Sequence, residues 1–383
     1  MISALKTFYD NPRFRIKDME GKSTWRKQRT GIRQGCPLSP YLFVIFMTVL
    51  FHDVEKEVGK NTMERTMDLV DFSNILYADD TFIAGKHSRE LNKILHAIEK
   101  HSSRYGMRLN KGKCVHINMN SKNNIKFTDG TAMPREEEAT YLGAKITKKN
   151  LNRKEVDERI GKALKTCNKL KLFLKKTKCN KKWKLQVYSA VVISQLVYGL
   201  ETMYLNEGLL KRLDAFHMRG IRHILGIEHA YWSRTSNEEI LMKANWILEH
   251  SEDITAEWKE FVIPKNENVK RIKLVSEILE DKKIKLLGHV MRCEKNDRLY
   301  QVTFTDQGGF NVYMKQRVGR PRGHWAEDVM NIAMLQLTGN QVWVATLAGF
   351  ETGAVPSVNV TLRVIDSRGN ESSANTVIGV RLC

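Results

Sequence analysis

Apolar residues in the first part of the chain recur at helical spacing in two places. Residues 39–58 are mostly apolar and follow a polar loop, with Ser39 suited to the N-cap and Pro40 to the first helical position. The pattern predicts a largely buried helix. A second stripe predicts an amphipathic helix over residues 88–106. The members of this stripe are Leu91, Ile94, Leu95 and Ile98.

Between these two helices, short apolar runs flank a pair of acidic residues. The runs are residues 75–78 and 81–84, and Asp79 and Asp80 separate them. This pattern predicts a β-hairpin with both carboxylates at its turn. Short strands are also predicted within residues 107–119 and 126–147.

The patterning changes near residue 151, and four domains are predicted. Helical spacing continues to about residue 255, and a further helix is predicted over residues 271–291 of a basic region. Residues 331–383 contain no lysine and alternate apolar and polar positions between turns, which predicts a small β-rich tail of different origin. The fold class is therefore α+β. The predicted domains are 1–150, 151–255, 256–330 and 331–383.

The charge of the chain indicates a polyanionic partner. The formal net charge is +20 and the pI is about 9.6. Residues 165–184 hold nine lysines and no acid, and apolar residues interleave with them. Such a segment predicts a helix that packs on one side and contacts phosphates on the other, although a solvated charged face is the alternative. The interleaved residues are Leu170, Phe173, Leu174 and Trp183.

The composition also bears on the compartment. No stretch reaches the roughly 18 apolar residues that cross a membrane, and the first residues lack the apolar core of a signal peptide. Six scattered cysteines show no metal-binding spacing and are read as free thiols. We expect an intracellular protein, in cytoplasm and nucleus, without a membrane partner; the pattern leaves the oligomeric state open.

The pair Asp79 and Asp80 is the main candidate for chemistry. Adjacent carboxylates between strands are costly unless a cation neutralises them, and Mg²⁺ accepts one or two carboxylates together with substrate phosphates. Two such ions support nucleotidyl transfer. Aspartate is also a favoured turn residue, so the pair alone does not decide between chemistry and a plain turn.

The order of the motifs adds to this reading. GIRQGCPLSPYLF at 31–43, YADD at 77–80, GMRLNKGKC at 106–114 and YLG at 141–143 together resemble the palm of LINE-type (non-LTR) retrotransposon reverse transcriptases. Later motifs resemble the thumb and C-terminal region of the same family, so the resemblance covers roughly residues 1–330. These later motifs include RIGKALKTCNKLK from 159, RLDAFHMRGIRHILGI from 212 and GRPRGHW from 319.

The resemblance implies an RNA-directed DNA polymerase with the right-hand fold: a partial palm, then an all-helical thumb. It implies two Mg²⁺ ions, an RNA template, a DNA primer and deoxynucleoside triphosphates as ligands. Asp79 would be a metal ligand and Asp80 its neighbour in the same site. Lys113 would stabilise charge on, or donate a proton to, the leaving pyrophosphate.

The resemblance also assigns residues that contact nucleotide, template or primer. Gln34 and Gly35 would border the incoming nucleotide, where glycine permits close backbone approach. Arg33 could reach the template or the triphosphate. Tyr77 would pack beneath the primer end. Arg33 and Tyr77 could equally be structural.

One expected element of the family has no counterpart in this sequence. The family polymerase carries a further catalytic aspartate on a strand upstream of the GIRQG loop, and neither Asp10 nor Asp18 lies in a strand that could supply it. We therefore expect a chain that binds nucleic acid but polymerises little or nothing alone. It would be either the rear part of a longer polymerase, truncated upstream, or a non-catalytic nucleic-acid-binding relic, so its status as an enzyme is open.

Overall fold

The computed structural model divides the chain into two compact units, residues 1–135 and 136–383. No helix among the described residues is long and apolar enough to cross a membrane. The predicted four-domain division remains a prediction. The structure describes residues 2–19, 21–29, 31–33, 35–59, 74–85, 87–118, 123–148, 152–250, 272–305, 309–310, 325–338, 343–347, 360–365 and 371–374.

The first unit combines helices with two-stranded antiparallel sheets, which confirms the predicted mixture of helices and small sheets. Its elements are helix α1 (Ile2–Tyr9), strands β1 (Arg13–Phe14) and β2 (Arg26–Lys27), helix α2 (Ser39–Val58), strands β3 (Asn74–Tyr77) and β4 (Asp80–Ile83), helix α3 (Ser88–Arg104) and a 3₁₀ turn (Lys111–Lys113).

The core of the first unit forms where α2 packs against α3. Polar contacts at the ends of these helices add to the apolar contacts. The carboxylate of Glu57 lies 2.7 Å from Nε2 of His101 and accepts a hydrogen bond from Lys100 at 2.8 Å. These bonds hold the pKa of Glu57 below its usual range. The buried apolar residues are Met47, Leu50, Phe51, Val54, Ile94, Ala97 and Ile98.

Two local predictions in this unit are wrong. Ser39 is the first residue of α2 and is buried, with its hydroxyl 3.4 Å from that of Tyr9, so it does not cap the helix. The strand predicted within residues 107–119 is absent from its described part, which holds the 3₁₀ turn and a single β-bridge at His116. Gly112 and its polar neighbours favour the turn.

The second unit begins with a hairpin, and helices follow it. The elements are strands β5 (Glu138–Tyr141) and β6 (Ala144–Thr147), then helices α4 (Asn152–Lys169), α5 (Lys181–Val187), α6 (Ser194–Val197), α7 (Glu207–Leu225), α8 (Ala230–Ser233), α9 (Asn237–His250), α10 (Val275–Met291), α11 (Arg298–Thr303) and α12 (Trp325–Thr338). Two π-helical segments, Leu172–Lys176 and Tyr188–Ile193, and a 3₁₀ turn (Leu200–Thr202) lie between these helices.

The helices at 152–250 follow the predicted apolar spacing, and α10 matches the helix predicted over residues 271–291. Their largest apolar cluster joins α4, α5, α7, α9 and α10. Asp214 fixes the start of α10, because its carboxylate accepts bonds from the backbone N–H and the hydroxyl of Ser276 at 2.9 and 2.8 Å.

A three-stranded antiparallel sheet lies near the end of the chain. It consists of β7 (Trp343–Leu347), β8 (Val360–Ile365) and β9 (Glu371–Ala374) in sequential order. Helix α12 runs across the domain boundary predicted at residue 330. The last residues of the predicted β-rich tail, 375–383, and most of the GRPRGHW motif at 319–325 lie outside the described residues.

A buried histidine lies in the core of the second unit. His217 on α7 stacks against the ring of Tyr188, with ring centroids 5.8 Å apart. Among the described residues its Nε2 has no hydrogen-bond partner, and burial lowers the pKa of His217 to about 4. His223 is exposed on the same helix and His229 lies beyond its end, so the three histidines lie apart, as their six-residue spacing predicts.

The buried His217 predicts that the protein loses stability in mild acid. The folded-state pKa lies below the ordinary 6.5, so between about pH 4 and 6.5 the unfolded chain binds more protons. The free energy of unfolding should therefore fall by about 2 kcal/mol from pH 7 to pH 5 through this group. Urea unfolding of wild type and His217→Leu at both pH values measures this loss. The matched variant His223→Leu should keep the wild-type pH dependence, and equal pH dependence in the two variants would contradict the prediction.

Candidate functional site

The two candidate aspartates lie at the turn of the β3–β4 hairpin. Tyr77 pairs with Asp80 across the hairpin, so Ala78 and Asp79 form its two-residue loop. This geometry confirms the predicted hairpin. Ala78 has φ of 51°, a left-handed conformation that is uncommon for a residue other than glycine. Strain of this kind often marks functional turns.

The tip of this hairpin is open to solvent. Asp79 and Asp80 are exposed, and neither carboxylate has a polar partner among the described residues. The Tyr77 ring is 62% exposed. Two hard oxygen donors without a neutralising cation fit a Mg²⁺ ion that also binds substrate phosphates. In the described part of the chain no third acid, histidine or cysteine joins them.

The loop before α2 contains the other predicted nucleotide contacts. Gly35 has φ of 83° and open space where a Cβ would lie, so both its conformation and its surroundings permit close approach by a ligand. The Arg33 guanidinium lies over the Tyr9 ring, 5.4 Å from its centroid. Gln34 lies outside the described residues.

The two lysines of the 3₁₀ turn have different surroundings. Lys111 donates to Asp129 at 2.6 Å and lies over the ring of Phe127. The hydrogen bond to Asp129 raises the pKa of Lys111. The Lys113 ammonium, in contrast, is exposed and contacts no carboxylate in the described part of the chain. Of the two, Lys113 is therefore the lysine available to a ligand.

Helix α2 has an exposed apolar face in addition to its buried one, and the sequence did not distinguish the two faces. Tyr41, Val44, Ile45 and Val49 are exposed and follow helical spacing on the side opposite the α3 contact. A contiguous apolar stripe of this kind is typical of a surface that another element covers. The mostly apolar helix was predicted to be largely buried, and only one side of it is.

The hairpin with the YLG motif belongs to the second unit, where a buried ion pair fixes it. Leu142 and Gly143 form its turn, both at positive φ, as type I′ turns require. Arg159 on α4 donates to the Gly143 carbonyl at 2.8 Å and to Glu155 at 2.6 Å. Glu155 in turn accepts the backbone N–H of Lys145 at 2.8 Å.

Tyr198 adds a further contact to this turn. Its hydroxyl donates to the Leu142 carbonyl at 3.1 Å, and the guanidinium of Arg159 lies over its ring at 4.9 Å. Both carbonyls of the turn are thus bound by side chains of the helical part. The hairpin is therefore rigidly attached to α4.

The lysine-rich stretch 165–184 is not one helix, because it comprises the end of α4, a π-helical segment and the start of α5. Leu174 is buried as predicted, whereas Trp183 is exposed and Lys184 is buried, donating to the Thr177 carbonyl at 2.8 Å. Five exposed lysines have no carboxylate within 4.0 Å among the described residues. We call these residues the lysine surface: Lys165, Lys169, Lys171, Lys175 and Lys178.

Comparison with known proteins finds a family match in the first part of the chain. Residues 2–146 match the family described as reverse transcriptase (RNA-dependent DNA polymerase). The matched segment includes both the β3–β4 and the β5–β6 hairpins, and a polymerase palm fits the mixed helices and small sheets found there.

The chain is also similar to a protein from a nematode. An uncharacterized protein of Caenorhabditis elegans described as transposon-derived is 22% identical over 262 residues, which cover 67% of this chain and 84% of that protein. The two similarities are to a reverse transcriptase family over residues 2–146 and to a transposon-derived protein over 262 residues.

The buried pair Glu155 and Arg159 yields a stability prediction. In the variant Arg159→Met, Glu155 stays buried without its partner, so the free energy of unfolding should fall by about 3–5 kcal/mol. In Lys211→Met, which breaks the exposed pair with Glu207 at the same four-residue spacing, the free energy of unfolding should fall much less.

Urea unfolding at pH 7 measures both variants. The double variant Glu155→Leu with Arg159→Met should regain part of the lost stability, because both buried charges are then removed. A cost for Arg159→Met no larger than that for Lys211→Met would show that the pair does not hold the hairpin.

Proposed function

We propose that this chain derives from a LINE-type (non-LTR) retrotransposon and carries the catalytic hairpin and the thumb of its RNA-directed DNA polymerase. The observation that carries the proposal is the exposed turn of β3–β4, which presents Asp79 and Asp80 within the segment similar to reverse transcriptases. The helices of residues 152–250 would form the thumb. Its ligands would be an RNA template, a DNA primer and deoxynucleoside triphosphates.

In this proposal Asp79 and Asp80 hold the divalent ions. Bound Mg²⁺ would supply the positive charge that activates the primer hydroxyl and stabilises the leaving pyrophosphate. Asp79, in the loop, is the more direct ligand. Asp80, the first residue of β4, adds negative charge beside it. The strained turn at Ala78 sets the direction of both side chains.

Three further groups would position the reacting molecules. Gly35 lets the nucleotide approach the backbone, and Arg33 reaches the triphosphate or the template. The exposed ring of Tyr77 offers an apolar surface beneath the terminal base pair of the primer.

Lys113 would act on the leaving group. Its ammonium is exposed and without a carboxylate partner in the described structure, whereas Lys111 is held by Asp129. A free ammonium can neutralise charge on the pyrophosphate or donate a proton to it. The sequence motif contains both lysines, and their different contacts favour Lys113 for this role.

A second candidate function is a nucleic-acid-binding relic without catalysis. It is favoured by the isolation of the two aspartates, because no third metal-binding residue accompanies them in the described part of the chain. Both candidates share the lysine surface as a site for phosphates. An assay of primer extension distinguishes the polymerase from the relic.

The proposal predicts that the purified chain binds a primer annealed to an RNA template but extends it little or not at all with Mg²⁺ and deoxynucleotides. Two carboxylates alone supply too few protein ligands to bind both metal ions. Asp79→Ala should leave the affinity for the primer-template unchanged within about twofold. Robust primer extension by the wild type that is abolished by Asp79→Ala would contradict the predicted inactivity. It would also exclude the second candidate function, binding without catalysis.

Metal binding at the hairpin can be tested without activity. Fe²⁺ in place of Mg²⁺, with ascorbate and peroxide, should cleave the backbone near residues 74–83 by locally formed hydroxyl radicals. Asp79→Asn should abolish this cleavage, and Asp10→Asn, an exposed aspartate of the same unit, should not. Absence of cleavage in the wild type would reject the metal assignment.

The lysine surface predicts a change in the salt dependence of binding. Each lysine that contacts a phosphate releases counterions, so the triple variant Lys165→Gln, Lys169→Gln and Lys171→Gln should reduce the slope of log affinity against log salt by about 2. Fluorescence anisotropy with a labelled single-stranded RNA between 50 and about 300 mM salt measures this slope.

The control variant removes the same charge from lysines that already have partners. Lys154 pairs with Glu138 at 3.0 Å, Lys162 with Glu158 at 2.8 Å and Lys211 with Glu207 at 2.6 Å. Their combined replacement by glutamine should change the slope less. Equal slopes in the two triple variants would show that the salt dependence of binding reflects the net charge of the chain and not the lysine surface.

A further inference from the structure

Two large aromatic side chains project from the connection between α7 and α9. Tyr231 and Trp232 are 63% and 73% exposed. Their rings meet edge to face with centroids 5.0 Å apart, and the guanidinium of Arg234 lies 5.4 Å from the Tyr231 centroid. We call residues 228–237 the aromatic loop.

A buried arginine holds the aromatic loop in shape. Arg222 on α7 is 5% exposed and donates to the carbonyls of Glu228 and Thr235 at 3.3 and 2.7 Å. It also donates to the Ser233 hydroxyl at 3.3 Å and to the Asn237 amide oxygen at 3.1 Å. One guanidinium therefore ties both ends and the middle of the loop to the same helix.

Local backbone features support the same conformation. The ring Nδ1 of His229 accepts the backbone N–H of Tyr231 at 3.3 Å and so caps the short helix α8. Arg234 ends this helix with φ of 54°, a left-handed conformation that is unfavourable for a residue other than glycine. The loop is thus held in place at some cost in strain.

The energetic cost of this arrangement points to a binding role. Burial lowers the pKa of Arg222, and within the described residues no carboxylate lies within 4.0 Å of it. A buried cation without an ion-pair partner and two exposed aromatic rings are both unfavourable for an isolated domain. Rigid aromatic rings on a fixed loop lose little entropy when a ligand covers them.

The charge of the chain as a whole favours an anionic ligand, because the formal net charge is +20, although exposed groups of both signs lie near the loop. Arg219 and Arg234 are exposed and have no carboxylate partner in the described structure. Of the nearby acids, Glu239 is paired with Lys243 at 2.8 Å, whereas Glu228 and Glu238 are exposed at the ends of the loop. A ligand that brings both flat apolar faces and negative charge is a nucleic acid, and only unpaired bases expose those faces.

We propose that the aromatic loop is a stacking site for unpaired bases of a single-stranded nucleic acid, with Trp232 and Tyr231 as the platform and Arg234 beside them. Arg222 is the positioning residue that keeps the platform in shape. The site shares its class of ligand with the proposed function but does not depend on polymerase activity.

The test is binding of a fluorescein-labelled 20-nucleotide oligouridine to the full-length chain, followed by anisotropy. Loss of one stacked base corresponds to about 1–3 kcal/mol, so Trp232→Ala should weaken binding about 5- to 150-fold. Trp232→Phe keeps an aromatic face and should retain most of the affinity. The slope of log affinity against log salt should stay unchanged in Trp232→Ala, because no phosphate contact is removed.

Two variants serve as controls. Trp25 is also exposed and has the guanidinium of Arg15 over its ring at 4.8 Å, so Trp25→Ala removes a comparable side chain elsewhere and should leave the affinity unchanged. Arg222→Lys keeps the positive charge but loses the several N–H donors of the guanidinium group. It should weaken binding as Trp232→Ala does and leave the slope of log affinity against log salt unchanged. Thermal unfolding verifies that each variant is folded.

Unchanged affinity for oligouridine in a double variant Tyr231→Ala and Trp232→Ala would overturn the proposal and would leave a protein partner as the better explanation of the exposed rings. An equal loss in Trp25→Ala would also overturn it. A failure of primer extension leaves this result untouched, since the assay contains no deoxynucleotides.

Discussion

A cation inside a protein is tolerated only when its hydrogen bonds are satisfied, and the second unit depends on this condition at several places. Arg159 is bonded to a turn carbonyl and to a buried carboxylate, Lys184 to the Thr177 carbonyl, and Arg222 to the aromatic loop. Each joins a segment without regular structure to a helix. The buried cations among the described residues are Arg159, Lys184, Arg222, Lys243 and Lys283.

The two hairpins that carry family-like motifs are stabilised in opposite ways. The β5–β6 turn is held by Arg159 and Tyr198, and so it is rigid without a ligand. The β3–β4 turn presents Asp79 and Asp80 to solvent without a partner in the described structure. A site that binds a divalent ion and a triphosphate needs carboxylates that are not already neutralised, whereas a surface that positions a nucleic acid benefits from rigidity.

The sequence predicted those features that depend on local spacing. The β3–β4 hairpin, the amphipathic helix α3 and the helices of residues 152–250 all follow from apolar periodicity, because each buries its apolar side against a neighbour. Ser39 shows the limit of this approach. A serine before a proline favours a cap, but the helix begins at Ser39 itself, with Leu38 at the cap position and the Ser39 hydroxyl 3.4 Å from that of Tyr9.

Other features depend on contacts between distant residues, which periodicity does not contain. Nothing in the spacing distinguishes Lys113 from Lys111. Only Lys111 is bound by a carboxylate, that of Asp129, which lies eighteen residues after Lys111 in the chain. The aromatic loop was missed for a similar reason. Two adjacent aromatics near a helix end resemble core residues in a sequence, and the bonds of Arg222 that fix the loop around them join residues far apart along the chain.

The π-helical segment Tyr188–Ile193 has a consequence for how this region tolerates change in length. It joins α5 directly to α6, and a π-helical turn holds one more residue than an α-helical turn. Deletion of one residue from 188–193 would restore regular α-helix, and the side chains from Ser194 onward would keep nearly their present direction, because the π-helical segment holds the extra residue. Leu196 and Val197, both buried, would therefore stay in the core. The π-helical segment is thus a place where this helix can lose one residue without changing which side chains face the core.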